Sequence, residues 1–173
     1  ASASITGNSL NNVLTAGAGS NTLNGGTGTD TASYSAAGSA VTVSLLSTGA
    51  QATGGSGSDT LIAFENLTGS AYSDKLTGSS AGNTLNGGAG ADTLTGGDGS
   101  DAYYVDSSAD QVIESNASAA SGGTDLVYSS LASYTLGTNV ENGRINTSAS
   151  ASITGNSLNN VLTAGAGSNT LNG

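Results

Sequence analysis

The chain has no cysteine, no proline and no histidine, and its only basic side chains are Lys75 and Arg144. Without cysteine, disulfides cannot hold the fold, although an oxidising exterior remains permitted. Without histidine or cysteine, most acid–base, nucleophilic and zinc arrangements are excluded, and the many serines have no base to activate them. Charged residues are only 8% of the total, with twelve acids against two cations and a net charge of −10. Such a surface argues against nucleic acid or an anionic membrane as partner. No apolar run is long enough to span a bilayer, so membrane insertion is not expected. Glycine pairs never precede Lys-Ser or Lys-Thr, which removes a phosphate loop. Asp98 and Asp106 would open EF-hand loops, but the residues eleven further on are Ala109 and Ala117. An enzyme is not expected. The absence of proline fits a regular stack whose backbone N–H groups all pair.

What the chain does contain is a nine-residue rhythm. From Gly69 to Ile113 it reads GSAYSDKLT, GSSAGNTLN, GGAGADTLT, GGDGSDAYY, VDSSADQVI. The sixth place holds Asp74, Asn83, Asp92, Asp101 and Asp110, and the eighth holds Leu76, Leu85, Leu94, Tyr103 and Val112. Glycine at places one, two and four allows a tight turn over the first six residues. The last three form a short strand whose middle side chain points inward. High glycine, serine and asparagine content would suit disorder, but the strict apolar ladder at place eight argues for a packed fold.

Two such blocks make one coil of eighteen residues, so blocks two apart stack at about 4.8 Å. Asp74, Asp92 and Asp110 then line one edge, with Asn83 and Asp101 on the other. Carboxylates stacked at that spacing repel by roughly 1–3 kcal/mol per neighbour. Turn carbonyls and carboxylates together form an all-oxygen cage, which selects a hard cation and favours Ca²⁺ over Mg²⁺. The competing reading is a solvated polar turn in a calcium-free solenoid.

The pattern G-G-x-G-x-D-x-U-x is matched without departure by Gly87–Thr95. The chain therefore resembles the RTX family of calcium-binding repeats exported by bacteria. The resemblance implies an all-β parallel β-roll or β-helix solenoid, two nonapeptides per coil, with irregular non-nonapeptide coils between. It also implies several Ca²⁺ ions, each held between turns by place-six Asp and glycine-turn carbonyls. Carried over, the ligands are Asp92 with Gly88 and Gly90, and Asp101 with Gly97 and Gly99. Asp30 with Gly26 and Gly28, Asp59 with Gly55 and Gly57, and Asp74, Asp110 and Asn83 complete the candidate set.

Elsewhere the rhythm is less regular. Gly7–Ser33 forms a first run with Asn12, Asn21 and Asp30 at place six. Neutral asparagine weakens calcium binding, so these turns are expected to form an amide ladder with at most one ion, near Asp30. From Tyr34 to Thr53 the phase is lost, although Val41–Leu45 alternates as a strand and Ser47–Thr53 reads as a turn-rich return. Gly54–Ile62 is again a full match, and Asp59 lies fifteen residues before Asp74. That spacing predicts a coil three residues short, through which the stack continues. Glu114–Gly123 reads as a loop, followed by strand-like pieces at Asp125–Ser129, Tyr134–Leu136 and Asn142–Ile145. Asp106, Asp125 and Glu141 are equally open to ligand and to solvated roles.

Residues Ala149–Gly173 repeat Ala1–Gly25 without a difference, at an offset of 148. The chain is thus read as one full unit, 1–148, and the start of an identical unit, 149–173, with neighbouring units as its partners. A 148-residue unit divided by eighteen predicts about eight coils and roughly 40 Å of length. With no initial Met and no signal peptide, a window of a longer polypeptide is expected. Three functions compete: a calcium-stiffened rod of a secreted bacterial surface filament, stalk or adhesin; a secretion-and-folding module of an exported toxin or hydrolase; and a ligand-binding face built on outward threonines such as Thr22 and Thr31. The perfect large repeat favours the first.

Overall fold

The computed structural model describes residues 2–116 and 122–173; part of the expected Glu114–Gly123 loop lies outside the described residues. The strands are short. In chain order they are β1 (Ser4–Thr6), β2 (Val13–Thr15), β3 (Thr22–Asn24), β4 (Thr31–Ser33), β5 (Thr42–Ser44) and β6 (Gln51–Gly54). There follow β7 (Gly57–Ile62), β8 (Asn66–Thr68), β9 (Lys75–Thr77), β10 (Thr84–Asn86), β11 (Thr93–Thr95), β12 (Ala102–Val105) and β13 (Gln111–Ile113). The last are β14 (Leu126–Ser129), β15 (Ser133–Thr135), β16 (Asn142–Ile145), β17 (Ser152–Thr154), β18 (Val161–Thr163) and β19 (Thr170–Asn172). No helix occurs among the described residues. The protein is an all-β solenoid of stacked parallel sheets.

Each nonapeptide contributes its last three residues as a strand, and successive blocks alternate between two faces. On one face β2, β4, β8, β10, β12, β14, β16 and β18 form a single eight-stranded sheet in that order. The other face is divided into β1-β3-β7-β6, β5-β9-β11-β13 and β15-β17-β19. Within the regular run, partners are eighteen residues apart, as in Thr84↔Ala102 and Thr93↔Gln111. Stacking in this register places the inward residues on top of one another. Leu23, Leu67, Leu76, Leu85, Leu94, Tyr103, Val127 and Ile153 form that ladder, and each is buried at 1% exposure or less. Each such side chain contributes roughly 1.5–3 kcal/mol by leaving water, which makes a thin core that extends with every coil.

The structure departs from the expected register between Tyr34 and Ile62. The spacing had predicted that Asp59 would stack on Asp74, but β7 pairs with β3, and it is β5 that pairs with β9. Val43 lies opposite Leu76 there and is itself buried, so an out-of-phase strand supplies the inward apolar residue that the column needs. The expected return of Ser47–Thr53 contains β6, which pairs antiparallel with β7 as a hairpin. The full motif match at Gly54–Ile62 therefore supplies the turn and second strand of a hairpin, while its last three residues still stack on β3 with Leu61 opposite Leu23.

Insertions also change the coil count. Thr31 and Asn66 are partners 35 apart, and Ala102 and Leu126 are 24 apart. From Val13 in β2 to its repeat Val161 in β18 the eight-stranded sheet takes seven steps, not the eight that division by eighteen predicted. At strand spacing this is about 34 Å. The sheet crosses into the repeated sequence without a gap, because β16 pairs with β18 (Asn142↔Val161).

Candidate metal centre

The place-six side chains stand just before the strands and form two columns. In Asp30, Asp92, Asp101 and Asp110 one carboxylate oxygen links the coils by accepting the N–H of the place-six residue in the adjacent coil. Asp74 donates to Asp92 Oδ1 (2.7 Å), Asp92 to Asp110 Oδ1 (3.0 Å) and Asn83 to Asp101 Oδ1 (2.6 Å). Asn12 donates likewise to Asp30 Oδ1 (2.7 Å). The expected division holds, with Asp74, Asp92 and Asp110 in one column and Asn83 and Asp101 in the other.

The second oxygen sorts the candidates. In Asp30, Asp92 and Asp101 it is buried without any hydrogen-bond partner. These are also the three turns with left-handed glycines at both place two and place four: Gly26/Gly28, Gly88/Gly90 and Gly97/Gly99. Coil stacking dictates those glycines. A Cβ on Gly88 would fall on the carbonyl oxygen of Ser70, and one on Gly90 would lie 2.6 Å from that of Tyr72. The place-one glycine matters equally, because a Cβ on Gly87 would displace Asp92 Oδ2. Each such turn is thus an open cradle holding an unpartnered buried carboxylate oxygen.

In the other candidates the second oxygen is already used. Asp74 Oδ2 accepts from the Ser70 N–H and hydroxyl, because serine replaces glycine at place two. Asp110 Oδ2 accepts from the N–H groups of Asp106 (3.1 Å) and Ser107 (3.0 Å). Asp59 sits in the β6–β7 hairpin with Gly55 and Gly57, where it accepts from Asn21 (N–H at 2.8 Å) and from the Thr53 hydroxyl (3.4 Å). Asn83 accepts the Ser79 N–H at 2.6 Å. The expected amide ladder does not form. Asn21 Nδ2 instead donates to the carbonyls of Gly17 (2.8 Å) and Gly19 (3.1 Å), and its repeat Asn169 does the same to Gly165 and Gly167. In those turns an amide hydrogen-bond donor bridges the place-two and place-four carbonyls that a cation would otherwise draw together.

Electrostatics agree with the geometry. Burial, opposed by the hydrogen bond from Asp74 and reinforced by Asp110, Asp74 and Asp106, pushes the Asp92 carboxyl up to about 6. Burial likewise raises Asp101 to about 6 and Asp125 to about 7. Buried carboxylates held with so little counter-charge fit a hard divalent cation with oxygen ligands.

The column on the eight-stranded face has members that sequence reasoning left open or missed. Asp30 donates its N–H to Glu65 Oε2 (2.7 Å), Asp101 to Asp125 Oδ1 (2.8 Å) and Asp125 to Glu141 Oε2 (2.8 Å). Glu65 and Glu141 therefore take the place-six role. Their signal is the sequence Phe64-Glu65-Asn66 and Val140-Glu141-Asn142, a buried apolar residue and a Glu-Asn leading into a strand.

A stacked parallel solenoid with open glycine turns facing buried aspartates defines a calcium-binding structural repeat. The family model described as RTX calcium-binding nonapeptide repeat (4 copies) matches residues 5–34, 77–112 and 153–173, half of the chain. The chain belongs to this RTX calcium-binding repeat family. The two long unmatched stretches include the irregular parts, the β6–β7 hairpin and the longer coil before β14. A search of curated proteins gave no match.

Proposed function

We propose that this chain is a calcium-stiffened segment of a secreted bacterial surface protein, a stalk, filament or adhesin rod without catalysis of its own. Its partners are neighbouring copies of the same 148-residue unit. RTX repeats are typical of secreted bacterial proteins, and no helix among the described residues is long and apolar enough to cross a membrane. The observation that carries the reading is the eight-stranded sheet, which runs from the first unit into the repeated sequence at β16–β18. A stack continued in this way grows in one dimension, and its eight-stranded face leaves free edges only at its ends. Calcium acts at the open turns of Asp30, Asp92 and Asp101, where it neutralises the buried carboxylates and ties glycine carbonyls of the turn to the column. The closed turns of Asn21 and Asn169 hold their shape without an ion.

Small-angle scattering in Ca²⁺ on proteins of one, two and three units tests the rod. Length should rise by about 34 Å per unit at constant cross-section, from the seven strand steps. Growth as the square root of unit number would mean flexible beads on a string and would refute it.

A further inference from the structure

Glu114 belongs to no place-six column, yet it is 5% exposed and its Oε2 has no hydrogen-bond partner. It follows β13, the last strand of its sheet, and its carbonyl accepts from Asn139 Nδ2 at 3.0 Å. Asn139 is itself in a left-handed conformation (φ 63°). The Glu114 side chain reaches the other column, where one carboxylate oxygen each of Asp101, Glu114 and Asp125 lie within 4.8 Å of one another. All three residues are buried, and Asp101 Oδ2 is likewise unpartnered. The Tyr103 hydroxyl donates to Glu114 Oε1, which fixes the carboxylate plane. Gly96 forms the floor, since a Cβ there would run into Tyr103 Oη, Asp101 Oδ2 and Glu114 Oε1. Every charged group acting on Glu114 is acidic: Asp125, Asp101, Glu141 and Asp98.

We propose that Glu114 and Asp125 complete the open turn of Asp101 as a divalent-cation site, Ca²⁺ by its oxygen donors, which differs from the other nonapeptide turns in drawing two carboxylates from outside its own turn. The inference rests on the calcium reading above. Three carboxylates around one point carry more charge than their hydrogen bonds offset, and an all-oxygen set selects a hard cation that tolerates irregular geometry. The ion joins three pieces of chain: the turn before β12, the segment after β13, and the start of β14. It therefore closes the stack where β13 has no further strand on it and where the coil lengthens to a 24-residue offset. Its role is to clamp the nonapeptide run to the irregular coils that follow.

The test counts ions bound to the whole 173-residue chain by equilibrium dialysis with ⁴⁵Ca²⁺, for wild type, Glu114→Gln and Asp92→Asn. Glu114→Gln keeps the shape and the Tyr103 hydrogen bond but removes a ligand charge. It should lose one ion, or weaken one by at least about tenfold, while the ion lost in Asp92→Asn is a different one and the double variant loses both. An unchanged count and affinity in Glu114→Gln overturns the site while leaving the turns intact. A wild-type chain that binds no Ca²⁺ overturns the site and the proposed function together. As a readout that keeps all three carboxylates, Tb³⁺ is titrated in place of Ca²⁺ with tyrosine excitation. Tyr103→Phe should abolish a component of the sensitised emission that Tyr104→Phe leaves, and emission unchanged by Tyr103→Phe counts against the site.

Discussion

Replacing Asp92 by Asn should stabilise the calcium-free protein while weakening its calcium response. In the wild type a carboxyl moved from 3.8 to about 6 makes the ionised folded state less stable by about 3 kcal/mol at neutral pH. Solvent at the mouth of the turn screens part of that, leaving about 1.5 kcal/mol. Asparagine removes the charge. In the AGAGSN turn that ends at Asn21, the amide donates to two glycine carbonyls. The amide introduced by Asp92→Asn would meet those of Gly88 and Gly90, at about 1 kcal/mol per bond. The expected gain at neutral pH is about 3.5 kcal/mol. Osmolyte favours the compact state, so the assay follows β circular dichroism in chelator against rising sucrose. Asp92→Asn should fold at lower sucrose than wild type, and Asp92→Ala should fall between them. In Ca²⁺ the order reverses, because Asp92→Asn has lost a ligand. If Asp92→Asn in chelator is no more stable than wild type, the open-turn argument is wrong.

Gly88→Ala places a β-carbon at a φ of 86° against the Ser70 carbonyl and should destabilise the calcium-bound protein by about 2 kcal/mol. Gly17→Ala, also at place two but facing open space, should be near neutral in the same thermal melts. The calcium-free chain should gain stability on acidification. Asp92, Asp101, Asp125 and Glu114 all have folded values above their unfolded ones, 3.8 for Asp and 4.5 for Glu. The folded state thus binds more protons, and each group lowers stability by up to about 1.4 kcal/mol per pH unit as pH rises from its unfolded to its folded value. Sucrose midpoints between pH 8 and pH 4.5 check the sign, which should invert in saturating Ca²⁺ as ligands protonate. Leu85→Ala, at 0% exposure in the ladder, should lower stability by about 2–5 kcal/mol without altering the number of ions bound.

The regular part of this fold was legible because one physical rule repeats. A turn of fixed length, a place-six oxygen and an inward apolar residue recur in phase, so strand positions, faces and the two columns follow from counting. What could not be counted was the point where the phase breaks. Asp59 carries a complete motif, yet Val43 in an out-of-phase strand takes the position under Leu76, and the motif is drawn into a hairpin. The full match shows that local sequence permits a nonapeptide turn, while partner strands decide whether one forms. Glu141 was left open and Glu65 was missed for the opposite reason. Neither stands in a glycine-rich nonapeptide, and it is the column of hydrogen bonds that assigns them the place-six role. Glu114 reaches its neighbours across the interior of the stack, which no spacing along the chain encodes.

The central claim is that cation binding at buried place-six carboxylates holds this solenoid together. The most direct measurement is far-ultraviolet circular dichroism of the 173-residue chain at neutral pH, first in chelator and then in millimolar Ca²⁺, with Mg²⁺ as the comparison. The β spectrum should be lost in chelator, return with Ca²⁺ and return poorly with Mg²⁺. Identical β spectra in chelator and in Ca²⁺ would contradict the account.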